Sequence, residues 1–359
     1  MAKVFMMMSG GVDSSVAAAD LVDQGHEVVG VFMKCWSIEQ LESLGADKSL
    51  YGCYWEEDAN DARMVASKLN IPFYVWDFQA EYKQGVVDYM LTEYKSGRTP
   101  NPDVMCNSTV KFGIFYQRAM ELGADFVATG HYARRVQSDL EVSIHRGSDL
   151  NKDQSYFLWR VKREQIQKTL FPIGEYATKS MVRQRALDLG LITADKPDSQ
   201  GLCFIGDTSL RDLLLQTLGK HEGDILDKNG KSLGRHPGAF LYTIGQRGGL
   251  GLSGGPWFVY RVDVAKNLVF VTHEGDEESL LGSVLIAKDL NWQVEGMEKH
   301  DEIECQAQIR YRQNATDCKI KISPDQAEVI FKEPVRAISS GQSIVFYDGN
   351  LMLGGGVIN

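Results

Sequence analysis

The sequence predicts an α/β protein in three parts: a parallel-sheet domain over residues 1–206, a small mixed domain over 207–280 and an antiparallel β-barrel over 281–359. In the first part, apolar segments of strand length alternate with helix-like segments. The strands are continuously apolar, as in a sheet covered by helices on both faces. In the last part, apolar and polar residues alternate with period two, which is typical of half-buried antiparallel strands.

Four segments of the first part are predicted to be strands, at residues 3–8, 27–33, 71–78 and 125–129. A helix is predicted from about 14 to 23, where Gly25 ends it. The acidic stretch 36–61 is predicted to be irregular. Helical spacing returns over 162–189 with a break at 171–174, which completes the alternation expected of a parallel sheet.

The second and third parts are predicted from a change in pattern near Gly206. One more amphipathic helix is expected over 207–218, after which glycine and strand-forming residues dominate. The segment 304–312 alternates cleanly, with Cys305, Ala307, Ile309 and Tyr311 on one face. Further strands are expected at 319–322, 327–331 and 343–347, followed by three glycines at 354–356.

Composition and charge limit the possible functions. The 359 residues are 43% hydrophobic and 24% charged, so the chain can bury a core. A net charge of −10 argues against nucleic acid as a bulk partner. Residues 134–185, however, carry eleven lysines and arginines against six acidic residues. Two interpretations stay open for this stretch: an electrostatic footprint for RNA, or a solvated face balanced by nearby acids.

The cysteines and the apolar runs indicate the compartment. Six cysteines are present, namely Cys35, Cys53, Cys106, Cys203, Cys305 and Cys318. They form no C-x-x-C pair and are too few in a chain of this length for a disulfide framework, so a zinc ribbon and a secreted scaffold are both disfavoured. Because no apolar run reaches about 18 residues and no targeting segment is evident, we expect a cytoplasmic protein without a membrane span. A monomer is expected.

The segment Ser9–Ser15, with the sequence SGGVDSS, lies between a predicted strand and a predicted helix. Backbone amides exposed by glycines at a helix start bind phosphate groups, and Ser9, Ser14 and Ser15 add hydroxyl donors. The loop lacks the lysine of the P-loop G-x-x-x-x-G-K-[ST] and the third glycine of G-x-G-x-x-G. It therefore predicts a phosphate site of neither the kinase type nor the dinucleotide type.

A second segment, GRTPNPDVMCN at 97–107, is stiffened by Pro100 and Pro102. Such a loop can hold Asn101, Asp103 and Cys106 in fixed positions. A helix is predicted over 108–117, and a thiol near a helix start has a lowered pKa. The alternative is that Cys106 is an inert small hydrophobic residue; the polar, proline-rich surroundings favour a functional cysteine.

A third segment, DSQGLCFIG at 198–206, contains Cys203 between glycines and after a polar tripeptide. These neighbours favour an exposed thiol on a mobile loop that rearranges on binding. Cys203 is far from Cys106 in sequence, so only the fold can bring the two thiols together.

SGGVDSS resembles the signature of the PP-loop ATP pyrophosphatases, whose fold is an adenine-nucleotide hydrolase-like α/β sheet. The chain also contains, in order, GRTPNPDVMCN, ATGHYAR, NKDQSYFL, DSQGLCFIG, YTIGQRGGLG, IRYRQ and GQSIVFYDG. Taken together, from residue 3 onwards, these motifs resemble the tRNA-specific 2-thiouridylases, bacterial enzymes that place sulfur at C2 of the wobble uridine. One departure is Met7, where the family usually has glycine; we expect the loop to tolerate it if Met7 still ends the strand.

The resemblance implies that ATP, with Mg²⁺, activates the uracil oxygen by adenylation. Its phosphates would lie at the loop formed by Met7, Met8, Ser9, Gly10, Gly11, Val12, Asp13 and Ser14. Met33 and Gly130 would contact the adenosine, since ligands bind at the carboxyl ends of parallel strands.

The resemblance also implies the sulfur chemistry. Cys203 would carry a persulfide delivered by a cysteine desulfurase or a sulfur-relay protein. The persulfide would attack C2 directly, or Cys106 would attack Cys203 and release hydrosulfide; either route can leave a Cys106–Cys203 disulfide for a cellular reductant. Asp103 would act as a base or hold the uracil edge, although a carboxylate is also a common loop cap.

The tRNA contacts implied by the resemblance are Asn101, Pro102, Asp103, His131, Lys152, Asp153, Gln154, Arg310, Tyr311 and Gln342. The predicted alternation places Tyr311 on the apolar face of its strand, so core packing is the alternative there. Arg310 is on the opposite face. His131 would lie beside the target base, although a single histidine is more often structural.

Three alternatives stay open. An iron–sulfur cluster could hold the sulfide, with Cys53 as the third ligand beside Cys106 and Cys203. The chain could be a PP-loop ligase for a small metabolite, which predicts neither two loop cysteines nor a basic stretch. It could also be a non-catalytic tRNA-binding or sulfur-carrier protein, which predicts no ATP-dependent release of pyrophosphate.

Overall fold

The computed structural model describes residues 1–36, 55–138, 141–198 and 210–359. The first part contains five parallel strands, namely β1 (Lys3–Met7), β2 (Glu27–Lys34), β3 (Phe73–Asp77), β4 (Phe126–Ala128) and β7 (Thr169–Leu170). Their order across the sheet is β3-β2-β1-β4-β7. The predicted parallel sheet is confirmed. β1 lies at its centre, so the loop that follows β1 emerges between neighbouring strands.

The described helices are α1 (Val12–Asp23), α2 (Trp55–Lys68), α3 (Gln79–Tyr82, Lys83–Asp88 and Tyr89–Lys95), α4 (Pro102–Met105, Cys106–Phe115 and Tyr116–Glu121), α5 (Arg163–Gln167), α6 (Lys179–Asp188) and α7 (Leu210–Leu218). The middle segments of α3 and α4 are π-helical. Two buried clusters cover the two faces of the sheet. In this described part of the chain, no helix has the length and apolar character needed to span a bilayer.

The second part contains a four-stranded sheet made of β8 (Gly223–Leu226), β9 (Ser232–His236), β10 (Trp257–Asp263) and β11 (Leu268–His273). The order is β10-β11-β8-β9, with β11 and β8 parallel and the other pairs antiparallel. Val259, Val269 and Val271 are fully buried in a separate small core.

The third part is a closed six-stranded barrel, as predicted. Its strands are β12 (Leu281–Trp292), β13 (Glu302–Gln308), β14 (Thr316–Ile322), β15 (Gln326–Arg336), β16 (Ser343–Asp348) and β17 (Leu351–Ile358). The order β12-β15-β14-β13-β16-β17 closes because β17 also pairs with β12, and every pair is antiparallel. Closure leaves no free edge within the six strands.

A hairpin of the first part extends the barrel sheet. β5 (Ala133–Gln137) and β6 (Val142–Arg146) pair with each other, and β6 lies next to β17. The Arg146 amide donates to the Asn350 carbonyl at 2.9 Å. Trp159, which is fully buried, lies so close to Gly355 that a Cβ there would be 2.8 Å from the indole ring. The first part and the barrel therefore share one packed interface.

The structure differs from the predicted elements in several places. The segment 162–189, predicted to be helical with a break at 171–174, also contains the short strand β7 (Thr169–Leu170), which pairs with β4 at the edge of the parallel sheet. α2 begins at Trp55, inside the stretch predicted to be irregular; the acids of its first turn favour a helix start electrostatically. α4 begins at Pro102, six residues before its predicted start, because the Asn101 side chain caps it. β13 ends at Gln308 rather than at residue 312, since the chain then turns and Arg312 adopts a φ of +63°.

Candidate active site

The loop between β1 and α1 has the shape that a phosphate site needs. Met7 ends β1, so the departure from the family pattern leaves the strand intact. Gly10 has a φ of +76°, and an added Cβ would clash with the Asp58 carbonyl oxygen. Only glycine fits at this point. The chain therefore turns tightly against α2 and enters α1 at Val12.

The serine hydroxyls hold this loop together. The Ser14 hydroxyl accepts from the Ser9 amide at 3.1 Å and donates to the Gly11 carbonyl at 3.1 Å. The Ser15 hydroxyl donates to the same carbonyl at 2.8 Å. Ser14 and Ser15 are buried, whereas Ser9 is exposed. Of these hydroxyls, the Ser9 hydroxyl is therefore the most accessible to a ligand.

Gly130, just after β4, packs directly on the start of α1. A Cβ at Gly130 would lie 2.8 Å from the Ser14 amide nitrogen and 2.9 Å from the Asp13 carbonyl carbon. The sequence thus keeps a side chain out of the space beside the loop. Met33, the other predicted adenosine contact, is half-buried near the end of β2. Both residues lie at the carboxyl edge of the sheet, as predicted for a nucleotide site.

Sequence reasoning missed a cluster of charges beside Asp13. The Lys179 ammonium lies 2.6 Å from both Asp13 carboxylate oxygens and 3.0 Å from Asp198 Oδ1. The Tyr132 hydroxyl donates to Asp13 at 2.7 Å. Lys152 donates to Asp198 at 3.0 Å. Lys179 is distant in sequence from the loop, so no local motif could reveal this contact.

Asp198 is the common partner of the basic groups in this cluster. Burial alone would raise its pKa, but hydrogen bonds and positive charge from Lys152 and Lys179 lower the pKa to about 2. Arg183 also donates to it at 2.8 Å. Asp198 is therefore ionised at neutral pH and is held firmly at the last described position before residues 199–209.

Asp103 and His131 both lie in the field of Lys111. Burial raises the pKa of the Asp103 carboxyl, and the Lys111 charge acts in the opposite direction. Burial, together with Lys111, holds the pKa of His131 well below its usual range. His131 is 7% exposed, and its Nδ1 lies 2.8 Å from the Thr129 hydroxyl. His131 is therefore neutral at pH 7.

Cys106 is the fifth residue of α4. Asn101 caps this helix by accepting from the Val104 amide at 3.2 Å, and Pro102 occupies its first position. Cys106 is 4% exposed and belongs to the apolar core cluster that also contains Phe112. The stiff loop predicted around this thiol is wrong, because the cysteine lies one turn inside a helix and is buried. The functional role of Cys106 stays a prediction.

The three predicted contact residues of the barrel lie against different segments of the chain. Gln342 donates to the Thr99 carbonyl at 3.2 Å. The Tyr311 ring packs on Phe157 with centroids 4.4 Å apart. The Arg310 guanidinium donates to the Ser339 hydroxyl at 3.0 Å and to the Ile244 carbonyl, which connects the barrel to the second part. Arg310 and Tyr311 both lie in the turn after β13, which ends at Gln308. The predicted placement of these two residues on opposite faces of a strand is therefore wrong.

The three predicted tRNA contacts at residues 152–154 lie in different environments. Lys152 is partly exposed and is paired with Asp198. Asp153 is 6% exposed and accepts from the Gly147 amide, the Ser155 amide and hydroxyl, and Arg146. Gln154 accepts from the Tyr132 amide at 3.0 Å. In the structure Asp153 holds the chain at Gly147 and Ser155, and Gln154 holds it at Tyr132. Their contacts with RNA stay predictions.

Other predicted features are only partly visible. Cys203 and Cys53 lie outside the described residues. In the described ranges, no group of three or more His, Cys, Asp or Glu side chains could hold a metal ion. Part of the basic stretch forms ion pairs with acidic residues of the barrel. Arg160 lies 3.7 Å from Asp289, and Arg163 lies 2.6 Å from Glu295.

Family models match all three parts of the chain. Residues 2–207 match a tRNA methyl transferase HUP domain, residues 211–273 a tRNA methyl transferase PRC-barrel domain, and residues 283–358 an aminomethyltransferase beta-barrel domain. Together with the glycine loop at the carboxyl edge of the sheet, these matches define the class: a HUP-domain protein followed by a PRC barrel and a closed β-barrel.

Curated relatives narrow the class to one family. The tRNA-specific 2-thiouridylase MnmA of Streptococcus thermophilus is 46% identical over 364 residues, covering 99% of this chain and 95% of that protein. The same enzyme of Listeria monocytogenes is 45% identical over 360 residues, covering 99% and 94%. The chain belongs to the tRNA-specific 2-thiouridylase family.

Solved structures are similar only at a low level. A 4-thiouridine synthetase in complex with RNA and ATP shares 15% identity, covering 60% of this chain and 50% of that chain, with a TM-score of 0.34. NMN synthetase from Francisella tularensis shares 16% identity, covering 55% and 66%, with a TM-score of 0.33. These similarities are too distant to bear on individual site residues.

Proposed function

We propose that the chain is an ATP-dependent tRNA 2-thiouridine sulfurtransferase. Full-length similarity to the named 2-thiouridylases supports the activity. The structural observation that carries the proposal is the close packing of Gly130, the residue before His131, on the start of α1. A nucleotide at the Ser9–Ser14 loop would then lie next to a base-binding residue.

The first half-reaction makes the uracil oxygen a leaving group. The C2 oxygen attacks the α-phosphate of ATP, the bond to the β-phosphate breaks, and pyrophosphate departs. The residues from Met7 to Ser14 would hold the phosphates through backbone amides and the Ser9 hydroxyl. Mg²⁺, which is usually bound by one or two carboxylates plus substrate phosphates, would neutralise the pyrophosphate charge, and Asp13 is the carboxylate that belongs to the loop itself.

The second half-reaction replaces AMP by sulfur. Cys203 would carry the outer sulfur as a persulfide, supplied by a cysteine desulfurase or a relay protein. Either this sulfur attacks C2 and Cys106 then displaces it from Cys203, or Cys106 first attacks Cys203 and releases hydrosulfide that attacks C2. In both routes a Cys106–Cys203 disulfide forms, AMP leaves, and a cellular reductant restores two thiols by donating two electrons.

The target uridine must leave its stack to reach this site. Asn101, Pro102, Asp103 and His131 would surround the base, and a neutral His131 would hydrogen-bond it without adding charge. Lys152, Asp153 and Gln154 would face the anticodon stem. Arg310, Tyr311 and Gln342 would reach the loop. The contacts of Gln342 with Thr99 and of Tyr311 with Phe157 support this for two of the three residues. We further propose that the protein acts as a monomer in the cytoplasm.

Nucleoside analysis tests the function. Purified protein is incubated with ATP, Mg²⁺, a persulfide donor and unmodified tRNA, and 2-thiouridine is quantified by mass spectrometry. We expect 2-thiouridine and pyrophosphate in equal amounts. Cys203→Ser and Cys106→Ser should abolish transfer from the persulfide donor. Cys305→Ser, a barrel cysteine, is the matched control and should keep wild-type rates.

The rival functions predict different products. A ligase for a small metabolite would release pyrophosphate without tRNA and form no 2-thiouridine. A non-catalytic binder would retain tRNA without releasing pyrophosphate. Full activity of a colourless, iron-free preparation would exclude the iron–sulfur cluster mechanism. Loss of activity when iron is removed would instead support the cluster mechanism over the persulfide route.

A further inference from the structure

We propose that Thr129 is a positioning residue of the site: its hydroxyl donates to Nδ1 of His131 and fixes the tautomer in which Nε2 carries the proton. His131 then offers the target uracil an N–H donor for one of its carbonyl oxygens. This inference deepens the proposed function, since it rests on His131 lying beside the base. It is carried by the distance of 2.8 Å between the Thr129 hydroxyl and His131 Nδ1.

The surroundings of the Thr129 hydroxyl decide the direction of this hydrogen bond. In the described part of the chain, His131 Nδ1 is its one hydrogen-bond partner, and Thr129 is 5% exposed. If Nδ1 carried the proton, it would donate to the hydroxyl oxygen and leave the hydroxyl hydrogen buried without an acceptor. Because a buried donor without a partner is costly, the hydroxyl donates and Nδ1 accepts.

The charge state of His131 then places the remaining proton. Burial, together with the positive charge of Lys111, holds the pKa of His131 well below its usual range, so the ring is neutral at pH 7. A neutral imidazole carries one N–H, and with Nδ1 as the acceptor this proton lies on Nε2. Nε2 has no hydrogen-bond partner among the described residues and is therefore available to a ligand.

The imidazole ring is held in this orientation from several sides. Its centroid lies 6.1 Å from that of Phe112 and 6.5 Å from that of Phe171, whose ring is nearly perpendicular to it. The Thr129 amide donates to the Leu170 carbonyl at 3.2 Å, which fixes the backbone that carries the hydroxyl. A flip of the imidazole ring would break the bond to Thr129, so Nδ1 and Nε2 keep their places.

The tautomer determines what His131 can bind. Uracil presents two carbonyl oxygens, which accept hydrogen bonds, and between them an N3–H, which donates. With the proton on Nε2, His131 binds a carbonyl oxygen; with the proton on Nδ1, the Nε2 lone pair would accept from N3–H instead. Since the partner of one ring nitrogen sets the state of the other, Thr129 selects the carbonyl oxygen.

A second hydroxyl–histidine pair provides the matched control. On β6, the Ser143 hydroxyl lies 3.1 Å from Nε2 of His145, and these residues are two positions apart, as Thr129 and His131 are. Ser143→Ala removes a contact between a hydroxyl and an imidazole but leaves the contact between Thr129 and His131 in place.

Nitrogen-15 NMR of the histidine side chains tests the tautomer directly, with the His131 signals assigned by their loss in His131→Asn. In the wild type at pH 7.5 we expect a protonated Nε2 and an unprotonated Nδ1. Thr129→Val keeps the shape of the side chain but removes the hydroxyl, so both tautomers should be populated. Thr129→Ser and Ser143→Ala should give the wild-type pattern for His131.

Kinetics of 2-thiouridine formation test the consequence for the base. Because one hydrogen bond to the base is misdirected, Thr129→Val should lower kcat/KM for tRNA about tenfold while the KM for ATP is unchanged. Thr129→Ser should recover most of the rate, and Ser143→Ala should keep all of it.

A wild-type spectrum with the proton on Nδ1 would overturn the inference, as would an unchanged kcat/KM in a Thr129→Val protein whose tautomer has changed. If Thr129→Val does not fold, the wild-type spectrum with unmodified tRNA decides: the Nε2 signal should shift while the proton stays on Nε2, and an unmoved signal refutes the contact. A wild type that forms no 2-thiouridine would overturn the proposed function, whereas an active wild type with a protonated Nδ1 overturns the role of Thr129 alone.

Discussion

At the scale of single residues, Gly130 shows how one missing side chain shapes the site. A Cβ added at Gly130 would lie 2.8 Å from the Ser14 amide nitrogen and 2.9 Å from the Asp13 carbonyl carbon. Backbone atoms at a helix start cannot move aside as the end of a flexible side chain can. The close packing of this segment on the start of α1 therefore depends on glycine at position 130.

We expect Gly130→Ala to weaken ATP binding at least tenfold, because the added methyl group would push the 130–131 segment away from α1. Overpacking of this kind costs about 1–3 kcal/mol in the free energy of unfolding. Calorimetric titration with ATP and urea unfolding measure both effects. Gly248→Ala is the control, since a Cβ there meets no atom within 4 Å. Unchanged ATP affinity in Gly130→Ala would show that ATP binding does not depend on the close packing of Gly130 on α1.

His131 gives the protein a pH-dependent stability. Its folded-state pKa is lowered by burial and by Lys111, while the unfolded value is about 6.5. The unfolded state therefore binds a proton first as the pH falls. The contribution of His131 to stability is present above about pH 6.5 and is lost as the pH falls from there toward the lowered pKa.

Urea unfolding at pH 7.5, 6.5 and 5.5 should show this loss. We expect the wild type to lose up to about 1.4 kcal/mol per pH unit below pH 6.5 through this group, and His131→Asn to lose correspondingly less. His221→Asn, at an exposed position, should follow the wild type. Equal pH dependence in the wild type and His131→Asn would contradict a buried, neutral His131.

At the scale of elements, the start of α4 determines where the site residues lie. The Asn101 oxygen caps the helix, and Asn101 also hydrogen-bonds the buried Tyr156, whose hydroxyl donates to the Ser343 carbonyl at 2.8 Å. Asp103 and Cys106 therefore occupy fixed turns of a helix that is anchored to the barrel.

Asn101→Ala should lower the free energy of unfolding by about 1 kcal/mol through loss of the cap. Asn101→Asp keeps an acceptor oxygen at the cap and should recover most of that loss. Urea denaturation of the three proteins measures the difference. If Asn101→Ala is as stable as the wild type, the helix does not depend on this cap.

The elements also show what the sequence could predict. Strands β1, β2 and β4 were predictable because continuous apolar runs between helical segments have few alternatives. The start of α4 was not, because Pro100 and Pro102 indicate a stiff loop equally well, and only the geometry of Asn101 distinguishes a helix cap from a turn. The end of β13 was missed because alternating residues continue into the turn at Arg310 and Tyr311.

Site residues were likewise predictable only where they belong to a local motif. Glycines and hydroxyls of a local loop are visible in the sequence, since their function depends on neighbours along the chain. Lys179 and Asp198 were not predictable as partners of Asp13 and Lys152, because three-dimensional packing alone brings them together. The motif of Asp153 predicts a contact with RNA, whereas only the fold shows that Asp153 is buried and bonded to Arg146.

At the scale of the whole molecule, the first part and the barrel behave as one packed unit. Gln293 donates to the Trp159 carbonyl at 3.0 Å, and the Ser155 hydroxyl lies 3.1 Å from the Tyr347 hydroxyl. β6 continues the barrel sheet beside β17. The residues that would hold the base and those that would reach the RNA loop are thereby fixed relative to each other.

Gly355→Ala tests this coupling. A Cβ at Gly355 would lie 2.7 Å from the Ile344 carbonyl oxygen and 2.8 Å from the Trp159 ring. We expect a loss of about 2 kcal/mol or more in the free energy of unfolding. Hydrogen exchange should become faster in both the barrel and the segment 155–161.

Gly282→Ala is the control, because its Cβ would meet mainly the flexible end of Ile338. It should change exchange near β12 alone. If Gly355→Ala loses protection in the barrel while 155–161 keeps its own, the two parts open independently.

The pairing of β6 with β17 also has a consequence for synthesis on the ribosome. β6 emerges about 200 residues before its neighbour β17. At 5–20 residues per second, the nascent hairpin therefore waits about 10–40 s with an uncovered strand edge. Because uncovered edges recruit other strands, we expect slower synthesis of residues 147–350 to lower the fraction of chains that reach the native state.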